Sequence, residues 1–151
     1  MKAERVELEP RTILGVHGVV PMTDMTDFFG RAFTTSAAEL GTQGAHPAGP
    51  ALAIYHGKPG ETADVTAGFP ASQPVTGTTD AVVVTLPGGP AIQTIHTGSY
   101  DDLGTTYGEL RQWVAEQQLD MAEDVWEEYL TGPDSGAEPA TWQTLIVWPL
   151  A

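Results

Sequence analysis

Apolar positions recur along this chain in two rhythms, one of period two and one of three to four. Residues 5–8 alternate polar and apolar before Pro10, and residues 12–20 continue as a strand-like run. Pro21 then opens a segment in which Met22, Met25, Phe29, Ala32 and Phe33 fall at helical spacing, with an end expected by Leu40-Gly41. Thr23 and Asp24 stand where a helix start gains from a cap. Residues 43–50, rich in Gly and Pro, read as a loop. Residues 51–56 and 62–69 read as strands, closed by Gly57-Lys58-Pro59-Gly60 and by Pro70.

After a connecting loop at residues 71–79 the pattern begins again. Residues 80–86 are strongly β-forming, Pro87-Gly88-Gly89-Pro90 reads as a turn, and residues 91–96 as a strand. Tyr100, Leu103, Tyr107, Leu110 and Val114 then step by three and four, the stripe of a second amphipathic helix. Ser99 with Asp102 resembles a capping box at its start. Strands follow at residues 125–130 and 142–148, with a turn expected at Thr131-Gly132-Pro133-Asp134.

Laid over each other, the halves (about 5–70 and 80–150) correspond. Val16-His17-Gly18 sits over Ile95-His96-Thr97, and Ile54-Tyr55 over Glu128-Tyr129. Gly68-Phe69-Pro70 sits over Val147-Trp148-Pro149. The implied architecture is one α+β domain over 1–151, built from two β-α-β-β halves about a pseudo-twofold axis. Its mainly antiparallel sheet carries two packed helices, with a ligand groove between the halves.

One stretch resists this purely structural reading. Trp126-Glu127-Glu128-Tyr129 places two carboxylates inside an aromatic strand. Alternation puts Glu127 and Tyr129 on one face, Trp126 and Glu128 on the other. The overlay matches Glu127 to Ala53, so the repeated framework does not require an acid there. A buried charge is costly without a partner, which makes Glu127 the candidate polar centre of a small-molecule pocket. Glu128 is expected to be solvated or to face a helix.

Composition narrows the chemistry. Twenty acidic residues against six basic ones give a net charge of -14, which opposes direct binding to nucleic-acid backbones and favours cationic partners. A hydrophobic or cationic small molecule, a basic protein or a homodimer is compatible with that charge. There is no cysteine, hence no disulfide framework and no thiolate site. No signal-like leader is evident, and no segment approaches the ~18 apolar residues that span a bilayer, so the expectation is a cytoplasmic protein away from membranes. His17, His46, His56 and His96 lack metal-ligand spacing, and no nucleotide or nucleophile motif occurs. No metal or other cofactor is therefore expected.

The run His96-Thr97-Gly98-Ser99-Tyr100-Asp101-Asp102-Leu103, followed by Tyr107, Leu110 and Trp113, resembles the second helix entry of GyrI-like effector-binding domains. Residues 126–133 resemble that family's Glu-x-Tyr-Leu-Thr-x-Pro strand, and residues 142–150 its closing strand. The resemblance implies a duplicated β-α-β-β fold. It also implies a buried Glu among aromatics that receives lipophilic cations, a role that would pass to Glu127 with Tyr129 beside it. Two departures stand out. Leu145 and Val147 occupy closing-strand positions where relatives often carry an acid and an aromatic. Only about ten residues precede the first core strand, too few for the DNA-binding helix-turn-helix of the family's regulators.

The ligand-binding set expected is Glu127, Tyr129, Tyr55, Trp148, Trp126 and Tyr100. It suits a stand-alone domain that senses hydrophobic, including cationic, small molecules, sequesters them, or confers multidrug or toxin resistance. Each well-placed ring would add roughly 0.5–2 kcal/mol of cation–π attraction. Two other uses compete. Glu127 would be the catalytic residue if the protein were a hydrolase of strained electrophiles such as cyclopropane-bearing genotoxins. Alternatively, Glu116, Asp120, Glu123, Asp124, Glu127 and Glu128 would form an acidic protein-interaction face, as in a gyrase-inhibitor-like factor.

Overall fold

The computed structural model describes residues 1–132 and 136–151; the turn expected at residues 131–134 lies partly outside them. In chain order the strands are β1 (Ala3–Leu8), β2 (Arg11–Pro21), β3 (Leu52–His56), β4 (Thr62–Pro70) and β5 (Val82–Leu86), then β6 (Gly89–Thr97), β7 (Asp124–Thr131) and β8 (Gln143–Pro149). Helix α1 (Met25–Thr42) follows β2, and α2 (Leu103–Glu116) follows β6. All eight strands form one antiparallel sheet in the order β1-β6-β8-β7-β3-β4-β2-β5. The expected α+β class, with two helices on an antiparallel sheet, is therefore what the chain adopts. Outward from the β3–β7 pair, the order is β4, β2, β5 on one side and β8, β6, β1 on the other.

The links between strands force a curved sheet. β1 and β2 are joined only by Glu9-Pro10, yet five strands lie between them in the sheet. Six inter-strand steps of ~4.8 Å would separate them by roughly 29 Å in a flat sheet. The three residue steps from Leu8 to Arg11 reach no more than about 11 Å. The same conflict holds for β5 and β6, joined by Pro87-Gly88. It is resolved by curling the sheet until its opposite edges approach. Pro10 and the Leu8 carbonyl then lie so close to Gly88 that a Cβ there would stand 2.8 Å from Pro10.

The inside of the curl is the face without helices. Val6 and Leu8 of β1, Leu86 of β5 and Trp126 of β7 meet there with Ile13, Leu52 and Ile54. The helices cover the outer face. α1 packs on β2 and β4 through Met25, Phe28 and Ala32, and α2 lies towards β6 with Leu110 and Val114 against Ile92 and Ile146. Between them the seam of β3 and β7 lies under aromatic rings.

Three local expectations need correction. The buried stripe of α1 is Met25, Phe28, Ala32, Ser36 and Leu40, whereas Met22 is 47% exposed and Phe29 and Phe33 sit at the stripe's margin. A 3-10 turn at Met22–Asp24 precedes the helix and rotates its face from the position a continuous helix would give. Ser99 and Asp102 do not form a capping box: neither cap carries a side-chain bond, and the Ser99 carbonyl instead accepts from His96 Nε2 at 2.9 Å. The turn expected at 87–90 is shorter, because Gly89 and Pro90 already belong to β6.

Gly15 and Gly68 are register partners in β2 and β4. A Cβ at Gly68 would collide with the Leu14 carbonyl oxygen and Gly15 Cα, both backbone. Backbone cannot swing aside as a side-chain tip can, so Gly68→Ala is expected to destabilise the fold by about 1–3 kcal/mol or more. A lowered urea midpoint measures it; an unchanged midpoint contradicts the close approach.

Candidate functional site

The side chain of Glu127 arises from the middle of β7, on the helix-covered face. Across the sheet its row runs Thr94, Ile146, Glu127, Ala53, Ala67 and Val16. Ala53, its repeat counterpart in the sequence, is also its direct cross-strand partner. Tyr129 and Tyr55 each stand two residues beyond one member of that pair. Small side chains at Ala53 and Ala67 leave the space above β3 and β4 to rings from α1.

Glu127 is 4% exposed. The Tyr107 hydroxyl donates to its Oε2 at 2.6 Å, and the Tyr129 hydroxyl to its Oε1 at 2.8 Å. Among the described residues no Lys or Arg forms an ion pair with it. Burial drives its pKa above the ordinary carboxyl range, while the two phenol hydrogen bonds and nearby His96 pull it partly back. Burial, followed by the Glu127 charge, also pushes the Tyr55, Tyr107 and Tyr129 hydroxyls upward, so all three phenols stay protonated.

Rings enclose this group. Tyr129 meets Phe29 at 6.2 Å, Phe33 at 6.3 Å and Tyr100 at 5.7 Å between centroids, each edge-on. Tyr100 in turn meets Trp142 at 5.1 Å, and Arg111 lies 5.6 Å from the Tyr107 ring. Edge-to-face contacts of this kind contribute about 0.5–1.5 kcal/mol each beyond area burial. Thr144, the register partner of both Tyr129 and His96, is fully buried, and its hydroxyl has no hydrogen-bond partner among the described residues. Buried hydroxyls are nearly always paired, so Thr144 marks a polar position that a bound molecule could satisfy.

Of the expected site residues, Glu127, Tyr129, Tyr55 and Tyr100 belong to this cluster. Tyr55 packs on the same face, in the cluster that includes Tyr129. Trp126 does not join them: it lies on the inner face, and its Nε1 donates to Glu128 Oε2 at 3.3 Å. Trp148 shares the outer face, but its indole is held by the Ala122 carbonyl at 2.8 Å in the α2 core. Tyr107, Phe29, Phe33 and Trp142 are the additions. In the sequence Tyr107 is only one member of a helical stripe; a buried phenol needs a partner, and the acid set inside the aromatic strand is the signal that could pair with it.

Glu128 is a second correction, being neither solvated nor turned to a helix. It is 8% exposed on the inner face and takes a two-pronged ion pair from Arg11, at 3.3 and 2.8 Å. Burial on opposite faces also removes Glu127 and Glu128 from the proposed acidic interaction surface. His17, paired with Asp64 at 2.6 Å, and His56, bonded to Asp124 and Thr66, belong to the inner-face side of the sheet. Two clefts among the described residues, one beside β5 and one beside α1, are not lined by Glu127.

No curated relative matches the sequence. The C-terminal domain of EcmrR superposes with a TM-score of 0.82 at 20% identity, covering 99% of this chain and 97% of that one. EcmrR in complex with DNA gives 0.85 at 21% identity over 99% of this chain, which spans only 57% of that longer one. SAV2435 bound to tetraphenylphosphonium gives 0.72 at 12% identity, covering 100% of this chain and 94% of that one. A hydrolase from Listeria innocua gives 0.64 at 16% identity, with 99% and 92% covered. At these identities the superpositions establish a shared fold. The family description that matches the sequence is the GyrI-like small molecule binding domain, over residues 1–151, and the chain belongs to that family.

Proposed function

We propose that this domain binds lipophilic cations at Glu127, between α1 and α2, as a sensor or sequestering protein. One contrast carries the reading. Two adjacent buried glutamates are treated differently: Glu128 is neutralised by Arg11, while Glu127 receives only neutral phenol donors. A carboxylate without a counter-ion in a low-dielectric, ring-walled site attracts a cation whose own surface is apolar. SAV2435, a distant structural neighbour, was solved with such a cation, tetraphenylphosphonium. In this structure rings and hydroxyls close over the acid, so entry of a ligand requires Tyr107 or Tyr129 to turn aside and release an oxygen of Glu127. Both carboxylate oxygens accept from phenols, which favours cation capture over water activation.

Calorimetric titration with tetraphenylphosphonium tests this. Glu127→Gln is expected to weaken binding by at least about tenfold, a loss of ~1.4 kcal/mol. The cation pairs with the ionised acid, so the affinity of the parent should rise with pH through the raised pKa of Glu127 and then level off. The variant should show no such rise, and equal affinities with parallel pH profiles would remove Glu127 from the site. Tyr107→Phe deletes a bond that favours the ionised form, so the rise should begin at higher pH than in the parent.

The free protein should carry the matching signature. A folded-state pKa raised above the unfolded one gives stability that is complete at low pH and is lost as pH rises through the folded value. From the ordinary value of 4.5 upward, Glu127→Gln should therefore gain on the parent in urea midpoint. Each pKa unit of elevation adds about 1.4 kcal/mol to that gain. A gap that stays constant across pH would show that Glu127 is not held in a costly ionised state.

A further inference from the structure

The inner face of the sheet carries a feature that Glu127 does not explain. β5 is an edge strand, paired only with β2. Its residues, Val82-Val83-Val84-Thr85-Leu86, are mostly β-branched and carry no charge, and Val82 and Val83 are 42% and 39% exposed. The opposite edge strand, β1, is guarded by Glu4, Arg5 and Glu7. Charges of that kind are the usual protection against unwanted strand pairing, and β5 has none.

A cleft of about 370 Å³ runs alongside β5. Residues 84–87 border it in unbroken succession. Side chains of a strand alternate between faces, so consecutive residues bordering one cleft show that β5 turns its backbone edge towards it. Ile54 and Trp126, only 1% and 2% exposed, close its base, and Ala122, Glu123 and Asp124 form another wall. That wall is fixed in place: the Ala122 N–H donates to the Pro149 carbonyl, and the Ala122 carbonyl accepts from the Trp148 indole. The Asp124 carboxylate is bonded to His56 at 3.1 Å and remains about half exposed, at 49%.

We propose that this edge receives an extended peptide segment of a basic protein, added to the sheet as a further strand against β5. Backbone groups of β5 supply the ladder, alternate apolar side chains of the peptide lie along the half-buried Val84 and Ala122, and flanking Lys or Arg residues meet Glu123 and Asp124. A second copy of this chain suits the cleft less well. It would bring its own charge of -14 towards the same acids, and like charges across an interface oppose association.

The test is fluorescence polarisation on the whole chain, with a labelled peptide of alternating valine and threonine flanked by lysines. Saturable binding is expected, together with its loss when alternate peptide nitrogens are methylated, because methylation removes the donors of the ladder. Glu123→Lys, a change on an exposed side chain, should weaken binding by about three- to tenfold and favour a glutamate-flanked peptide instead. Glu127→Gln should leave peptide binding unchanged, which separates this site from the cation site. Equal binding of the methylated peptide, an unchanged affinity in Glu123→Lys, or no signal at millimolar peptide would each overturn the proposal. So would a concentration-dependent dimer dissolved by Thr85→Lys, which would assign the edge to a second copy.

Discussion

Two links of two residues, Glu9-Pro10 and Pro87-Gly88, hold strands from opposite ends of an eight-stranded sheet within reach of each other. Most of what distinguishes the molecule follows from that constraint. A sheet so tied must curl, and its inner face closes into a small core around Trp126. The helices are left on the outer face, each over its own flank, so the β3–β7 seam between them has to be covered by side chains alone. Phe29, Phe33, Tyr107 and Tyr129 meet there. Glycines at Gly15 and Gly68 let β2 and β4 approach where a Cβ would not fit.

The seam is also where the two glutamates of β7 diverge in energy. Glu128 faces inward and meets Arg11, which remains about a third exposed, at 35%, so the pair is not wholly removed from water. Glu127 faces outward under the rings and receives hydrogen bonds without charge compensation. Desolvation of a carboxylate typically costs several kcal/mol, and two neutral donors return only part of it. A protein under selection for stability alone would gain from an apolar residue at this position, as its cross-strand partner Ala53 illustrates. The acid is thus held at a cost to the fold, and that cost is the ground on which a ligand is proposed for it.

The same curvature exposes what the helices cannot cover. β5, without charge along its edge, lies beside a cleft whose opposite wall is acidic. The cation site proposed on the outer face and the strand edge proposed on the inner face are thus separated by the thickness of the sheet. Both proposals invoke a positively charged partner, which an excess of fourteen acidic residues favours over the whole surface.

Much of this was legible in the residues themselves. Period-two and period-3.6 runs located every strand and both helices to within a few positions, because burial on one face imposes those periods locally. Alternation along residues 126–129 assigned Glu127 and Tyr129 to one face and Trp126 and Glu128 to the other, because that depends only on the strand's own geometry. The partners did not follow from the sequence. Tyr107 lies twenty residues from Glu127, and Arg11 lies 117 residues from Glu128. Nothing in a linear pattern says which stripe crosses which strand. Trp126 could be assigned a face but not the contents of that face, and Trp148, expected in the pocket, gave no sign of its tether to Ala122. Local periodicity decides where a side chain points; only the packing of a curled sheet decides what it meets there, because those contacts depend on distances that no single segment controls.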